Sequence, residues 1–148
     1  MSDVHELSSG SSETFEHVAL FTWHPGARST TIDTALTAIP GHKALVILGS
    51  VSGSIDTMLV PRIREIADSG IPVFLVSSGY AQEGGISSTM YGGMRELFDA
   101  GVTPVEQGNL RDLRAILSVI ERESQISEGN TLRDRVRDLF SAPHDATV

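Results

Sequence analysis

K-A-L-V-I-L-G-S-V-S-G, residues 43–53, is the stretch from which we predict the fold of this chain. The five apolar residues Ala44–Leu48 show no alternation, which is typical of a strand covered on both faces in a parallel sheet. Glycines and serines follow directly, and an apolar-periodic helix comes after them. Ligands of open α/β sheets bind at such carboxyl ends of strands, where helix N-termini present free N–H groups. We therefore expect any small-molecule site here.

Strand and helix patterns alternate along the rest of the chain. Strands are predicted at 17–23, 43–49 and 71–77, with a short edge strand at 102–105 because Pro104 cannot donate to a ladder. Helical spacing of apolar residues is predicted at 30–39, 55–69, 88–100, 109–122 and 131–140. This alternation predicts a small, doubly wound, three-layer α/β/α domain of Rossmann-like type, with a mostly parallel sheet of three to four strands.

Local signals suggest how these helices begin. Ser29 or Thr30 is a candidate N-cap of the first helix, and Asn109 a candidate cap of the fourth. Pro61 either kinks the second helix or stands at its first position after a short turn, and we favour the second arrangement.

Composition restricts the functions available to the chain. Its 148 residues fit one domain, and it contains no cysteine for a disulfide, nucleophile or thiolate metal site. The net charge of -8 argues against a nucleic-acid partner. We see no apolar run long enough to span a membrane and no signal-peptide pattern, so we expect a cytoplasmic protein. We also expect a disordered arm at 1–14, an ordered domain at 15–140 and a flexible tail at 141–148.

The five histidines are scattered without zinc-ligand spacing, and we expect neither a metal nor a cofactor. His24 follows a predicted strand on the expected ligand side, although a turn histidine with no further role is the commoner case. Trp23 and Tyr91 are candidate ligand platforms, but aromatic residues in such places more often belong to a core or an interface. Glu83 lies in a glycine-rich loop without a visible partner.

The segment G-S-V-S-G at 49–53 is near to two known motifs without matching either. Val51 stands where the nucleophile elbow requires serine, and the Lys-Ser/Thr ending of a phosphate-binding P-loop is missing. Ser52 or Ser54 either caps the following helix, which is the simpler role, or lines a site for a carboxylate or amide.

Four segments in register give the chain a family resemblance: V-A-L-F-T-W-H-P-G (18–26), L-V-I-L-G-S-V-S-G-S (45–54), G-I-P-V-F-L-V-S-S (70–78) and Y-G-G-M-R-E-L-F-D-A-G-V (91–102). Together they resemble the smaller C-terminal domain of the bacterial L-asparaginase/glutaminase family, and the cytoplasmic type I branch most. The resemblance covers residues 15–140. In the glycine turn Gly49 and Gly53 match the family, whereas Val51 departs from it and Ser52 replaces its usual asparagine. Met94 stands where the family usually has glycine.

The resemblance has direct implications for function. The family's catalytic threonine and its Thr-Asp-Lys set belong to the other domain, in motifs similar to T-G-G-T-I and H-G-T-D, and neither motif occurs here. The family's small domain forms a dimer, contributes residues to a neighbouring active site, and in type I enzymes helps to form an allosteric asparagine site. No catalytic residue is therefore assigned. The predicted ligand-binding residues are Gly49, Ser50, Ser52, Gly53, Ser54, His24, Ser78 and Tyr91.

Three functions remain open at this point. The first, which we favour, is the non-catalytic subunit of a split asparaginase or amidohydrolase, with a catalytic N-terminal-domain-like chain as its partner. The second is a regulatory module that binds a small amino acid or amide. The third, an independent enzyme, has the least support because no nucleophile and base stand together in the sequence. We expect a homodimer or hetero-oligomer, without asparaginase activity from this chain alone.

Overall fold

A computed structural model describes residues 15–50, 55–79 and 95–141, and four strands and five helices lie in these ranges. The strands are β1 (Val18–Thr22), β2 (Ala44–Leu48), β3 (Val73–Ser77) and β4 (Val102–Asn109). The helices are α1 (Ser29–Thr37), α2 (Val60–Asp68), α3 (Arg95–Asp99), α4 (Leu113–Ser124) and α5 (Gly129–Phe140). Among them no helix is both long enough and apolar enough to cross a membrane.

The described strands form one parallel sheet in the order β1-β2-β3-β4. Every residue of β2 and β3 is buried, as the unbroken apolar run of the opening segment predicted. A parallel strand between two helical layers has no solvated face, which is why these sequences do not alternate. The predicted mixed α/β fold with a parallel sheet is confirmed.

Two apolar cores lie on opposite faces of this sheet. One contains inward side chains of α1, α2 and α3, among them Ile32, Ile63 and Leu97. The other contains those of α4 and α5, among them Ile120 and Val136. Right-handed crossovers between strands in sequential order place the connecting helices on one face, so the second layer comes from the helices that follow β4.

Strand β4 is longer than the sequence predicted. It runs to Asn109 rather than ending at Val105, so the predicted short strand is wrong in length. Pro104 is tolerated because β4 lies at an edge of the described sheet, where a missing N–H need not break a ladder. The pairing with β3 shifts register between Leu75 and Ser77, and the strand continues past the proline to Asn109.

Of the two helix starts predicted for α1 and α2, the second is confirmed and the first is wrong. Pro61 lies in the first turn of α2, after a 3-10 turn at Thr57–Leu59, and this confirms the favoured arrangement. The predicted cap of α1 is wrong by one or two positions, because Arg28 is the N-cap residue. The hydroxyl of Thr31 accepts the backbone N–H of Arg28 at 3.0 Å, so a side chain inside the helix satisfies that donor instead.

Several predicted segments lie wholly or largely outside the described residues. These are the arm at 1–14, nearly all of the tail at 141–148, the loop that contains Glu83, and the first part of the helix predicted at 88–100.

Candidate functional site

The segments that follow β1, β2 and β3 meet at one edge of the sheet. The backbone N–H of Trp23 donates to the Leu48 carbonyl at 2.9 Å, and the N–H of Gly49 donates to the Val76 carbonyl at 2.8 Å. Ser78 N–H then donates to the Ser50 carbonyl at 3.1 Å. Strand pairing thus continues one or two residues past the strand ends and holds predicted site residues side by side.

Ser77 ends β3 as a fully buried polar residue. Its hydroxyl accepts the N–H of Gly79 at 3.0 Å, which fixes the turn that leaves the strand. Ser78 is half-buried beside it, with its backbone joined to the segment after β2. The sequence prediction that Ser78 lies at the edge with Gly49 and Ser50 therefore matches the structure, while binding by these residues stays a prediction.

Asn109 reaches the same edge from β4, opposite Ser77 in the strand register. Its side chain is fully buried, and its Oδ1 accepts the backbone N–H of Arg111 at 2.9 Å. Its own N–H donates to Oδ2 of Asp112 at 3.2 Å. Asn109 is therefore a cap as predicted, but of a 3-10 turn at Leu110–Asp112 that leads into α4, whose own N-cap residue is Asp112. The sequence did not indicate that Asn109 lies at the site edge, because β4 was expected to end before it.

The indole N–H of Trp23 is an unusual polar group near this edge. Its ring packs partly against the core of α1–α3, and its indole Nε1 is buried with no hydrogen-bond partner in the described ranges. Buried indole N–H groups ordinarily find an acceptor. An unpaired donor at a strand end is a position where a ligand oxygen could bind, whereas the sequence alone favours a core role for this aromatic residue.

His24 follows Trp23 at this edge and is exposed. Its Nδ1 lies 3.0 Å from the carbonyl oxygen of Pro25, which requires the proton on Nδ1 if the two are hydrogen-bonded. That arrangement leaves Nε2 on the surface as the imidazole nitrogen available to a ligand. Ser52, Gly53, Ser54 and Tyr91, also predicted as ligand-binding residues, lie outside the described residues.

A groove of about 650 Å³ lies away from this edge, between α1 and α2. Its lining includes His42 and Ile71, which precede β2 and β3, so it opens at the amino ends of the strands. Arg62 in this groove is held by Asp33 at 2.8 Å and by Glu65 at 3.0 Å. Those hydrogen bonds raise the pKa of the Arg62 guanidinium, whose charge is balanced by the two carboxylates. Among the described residues that line this groove, no lysine or arginine is therefore left without a carboxylate to balance its charge.

Comparison with known proteins identifies the architecture. No family model matches the chain. The L-asparaginase of Thermococcus kodakarensis superposes with a TM-score of 0.65 at 20% identity, over 86% of this chain and 36% of that one. The chain has an asparaginase-like fold. Two other solved structures have the same fold. L-asparaginase I of Vibrio cholerae superposes with a TM-score of 0.60 at 17% identity, over 87% of this chain and 36% of that one. A probable cytoplasmic L-asparaginase of Campylobacter jejuni superposes with a TM-score of 0.59 at 17% identity, over 86% of this chain and 35% of that one.

One sequence relative points in the same direction. It is a subunit of the glutamyl-tRNA(Gln) amidotransferase of Pyrococcus furiosus, 33% identical over 91 residues, which cover 62% of this chain. The chain spans 20% of that protein and about a third of the asparaginase-like structures. The resemblance stated from the four sequence segments is thereby confirmed, and the partial coverage is what a small domain of a larger asparaginase-type chain would give.

Proposed function

We propose that this chain is the non-catalytic small subunit of a split asparaginase-type amidohydrolase and completes the active site of a partner chain. Two facts support this proposal. The fold corresponds to about a third of an L-asparaginase, and the sequence contains neither of the two family motifs that carry the catalytic threonine and its partners. The partner would then supply the nucleophile, and this chain would supply binding groups.

The observation that carries the proposal is the joined carboxyl edge of the sheet. Hydrogen bonds hold Trp23, Gly49 and Ser78 on neighbouring strand ends, so the segments that carry the serine hydroxyls and the indole N–H of Trp23 lie side by side. Such groups suit a carboxylate or a carboxamide, because each offers oxygens that accept from N–H and O–H donors. In this proposal the serines and glycines of 49–54, together with His24, Ser78 and Tyr91, contact the substrate of the partner.

A second candidate is a regulatory module that binds a small amino acid or amide such as asparagine without catalysis. The unpaired indole N–H of Trp23 favours it, because a ligand oxygen could satisfy that donor without a second protein. Both candidates share the ligand class and the edge, and both place the protein in the cytoplasm with residues 15–140 as the working domain.

The subunit proposal is tested by recovering the tagged chain from its own cells under gentle conditions and measuring the mass of the intact assembly. We expect a stoichiometric second chain that carries the two catalytic motifs, and ammonia release from L-asparagine by the assembly but not by the purified chain. Recovery of the chain without such a partner, or ammonia release by the chain alone, would contradict the proposal.

A matched pair of variants connects the edge to that activity. Ser50→Arg places a large cation at the joined edge, whereas Ser69→Arg places the same side chain at the exposed end of α2 near the opposite edge. We expect the first to abolish ammonia release by the assembly and the second to leave it unchanged. Circular dichroism of each purified variant checks that it is folded, and Ser50→Ala serves in its place if the arginine prevents folding.

The regulatory candidate has its own readout, because Trp23 is the single tryptophan of the chain. Its emission is followed while L-asparagine, L-glutamine or L-aspartate is added. Saturable binding would change the emission and stabilise the fold by about 2.7 kcal/mol at a hundredfold excess over the Kd. An emission spectrum and a melting curve that stay constant with all three ligands would exclude this candidate.

A further inference from the structure

The groove between α1 and α2 has an apolar floor, formed by residues of both helices and of the segments that follow them: Leu36, Pro40, Ile66 and Ile71. Leu36 and Ile66 also belong to the core beneath, and Ile71 packs against that core, so the fold holds this floor in place. A volume of about 650 Å³ lies in the range of small-molecule sites, which are mostly apolar with a few polar groups. The groove can therefore hold a small ligand that has an apolar part.

Three charged side chains form the rim of this groove and join the two helices. Arg62 of α2 donates from Nε to Oδ1 of Asp33 on α1 at 2.8 Å, and from Nη1 to Oε1 of Glu65 at 3.0 Å. No described residue donates a hydrogen bond to the second oxygen of either carboxylate. With two carboxylates and one guanidinium, the rim carries one net negative charge and keeps acceptor oxygens for a ligand.

The C-terminal ends of α1 and α2 add to this negative potential. A helix that follows a strand of a parallel sheet runs back toward the amino edge, and the last turns of both helices line the groove. The C-terminal end of a helix carries partial negative charge, which a basic residue in the last turn often offsets. Neither helix has a basic residue in its last turn, so a ligand cation here meets favourable dipoles.

His42 supplies a further acceptor in the wall of the groove when its ring is neutral. Its Nδ1 lies 2.7 Å from the carbonyl oxygen of Ile39 and 3.1 Å from that of Leu36, at the end of α1. Since carbonyl oxygens only accept, Nδ1 carries the proton. In the neutral ring Nε2 is then the nitrogen that can accept a hydrogen bond.

We propose that this groove binds a small aliphatic amine, with its ammonium group at the carboxylates of Asp33 and Glu65 and its alkyl chain on the apolar floor. An ammonium group has N–H donors and no acceptor, so it complements a rim of acceptor oxygens. An anion would meet net negative charge, and a neutral alcohol would gain contact with the floor alone. The net charge of -8 on the whole chain favours a cation as well. The groove lies away from the candidate site, and the proposal does not depend on the proposed function.

A titration followed by amide NMR spectroscopy tests both binding and its location. Hexylamine is added at low salt and about pH 8, where alkylamines are still protonated and histidine side chains are ordinarily neutral. We expect the backbone signals of Leu36, Thr37 and Ile66 to shift along a saturable curve, while those of α4 and α5 stay in place.

Two matched ligands separate the contribution of charge from that of the alkyl chain. Hexanol and hexanoate have the same chain length with a neutral and a negative head group. The rim side chains are between 35% and 68% exposed, so their ion pair with an amine is of the partly solvated kind. We therefore expect hexanol to bind about fivefold more weakly than hexylamine, and hexanoate to give no saturable shift.

A double variant, Asp33→Asn with Glu65→Gln, removes both carboxylates and leaves Arg62 unpaired at the rim. We expect the Kd of hexylamine to rise about tenfold and the preference to reverse, so that hexanoate binds more tightly than hexylamine. Circular dichroism checks that the variant is folded. If it is not, Glu65→Gln alone replaces it, with an expected rise of about fivefold.

The matched control is Asp134→Asn with Asp138→Asn on α5. These two carboxylates flank Arg137 much as the rim carboxylates flank Arg62, at 3.2 and 3.8 Å, but they lie in the helical layer on the other face of the sheet. The control makes the same change in net charge, and we expect it to leave the Kd of hexylamine unchanged.

Three results would overturn the proposal. The first is the absence of saturable shifts with hexylamine, or shifts outside the groove only. The second is equal affinity for hexylamine and hexanol, which would show that the rim carboxylates do not bind the ammonium group. The third is an equal loss of affinity in the rim variant and the α5 control, because overall charge rather than a site would then explain the binding.

Discussion

The Glu121 carboxylate joins the last turn of α4 to the segment that precedes β1, and its removal tests how much a buried contact between distant segments stabilises this fold. Its Oε1 accepts the backbone N–H of His17 at 2.9 Å, and its Oε2 accepts Nδ1–H of the same residue at 2.6 Å. The side chain is only 12% exposed. Both hydrogen bonds to His17 are therefore lost together in Glu121→Ala, along with the weaker backbone hydrogen bond from Glu16 to the same mostly buried carboxylate.

The expected loss follows from these contacts. A hydrogen bond to a charged group contributes about 1.5–3 kcal/mol, and because the two bonds share one acceptor group we expect about 3 kcal/mol for the pair. For a domain of this size that corresponds to a melting temperature lower by about 8 °C. Urea denaturation with a circular dichroism readout measures the free energy of unfolding directly.

The control is Glu65→Ala, which removes a carboxylate that is 68% exposed and pairs with Arg62 one turn away. Exposed pairs of this kind contribute about 0.5 kcal/mol or less. A loss below about 1 kcal/mol for Glu121→Ala, or equal losses for the two variants, would refute the reasoning that burial makes the Glu121 contact strong.

The pH dependence has a definite sign. Burial alone would raise the pKa of Glu121, but hydrogen bonds from His17 and Glu16 backbone groups and from the His17 imidazole, together with the imidazole charge, lower it below its ordinary value of 4.5. A lower pKa in the folded state means that the ionised form stabilises the fold. This contribution is present above about pH 4.5 and is lost as pH falls through the folded-state pKa. Glu121→Gln should flatten the acid limb of a plot of stability against pH.

Two other variants test local structure. Asn109→Ala should lower the free energy of unfolding by about 1.5 kcal/mol through loss of the cap, while Asn109→Asp retains most of it, as urea titrations would show. Gly101→Ala should cost about 2 kcal/mol, because φ is +103° and the new Cβ would lie 3.0 Å from that of Ala67. Gly26→Ala, with φ of +91° and no atom within 4 Å of the new Cβ, should cost only about 1 kcal/mol in the same assay; equal costs would show that crowding is irrelevant.

Much of the fold could be predicted because its signals are local. The unbroken apolar runs of β2 and β3 reflect burial on both faces, because a strand without a solvated face has no alternating polar residues. Pro61 restricts its own backbone, so its place in the first turn of α2 follows from one residue. The resemblance to asparaginases likewise rested on four segments of contiguous sequence.

The candidate site was predicted only in part. Its serines and glycines stand directly after strands, so the sequence itself places them at the carboxyl edge. The part that Asn109 plays there was missed, because the local sequence gives no sign that β4 continues past Pro104 and shifts register against β3. The unpaired indole of Trp23 was missed as well, since whether a polar atom finds a partner depends on every segment packed around it.

The sequence by itself determined the class of the fold, the positions of its buried strands and the segments that reach the site edge, because each depends on the periodicity and chemistry of neighbouring residues. Only the tertiary structure decided which strands are edges, how far β4 extends and which distant groups meet. His17 and Glu121 are 104 positions apart, and nothing in either neighbourhood specifies the other. Contacts of that separation arise when helices cross a sheet, so they belong to the packed structure rather than to any stretch of sequence.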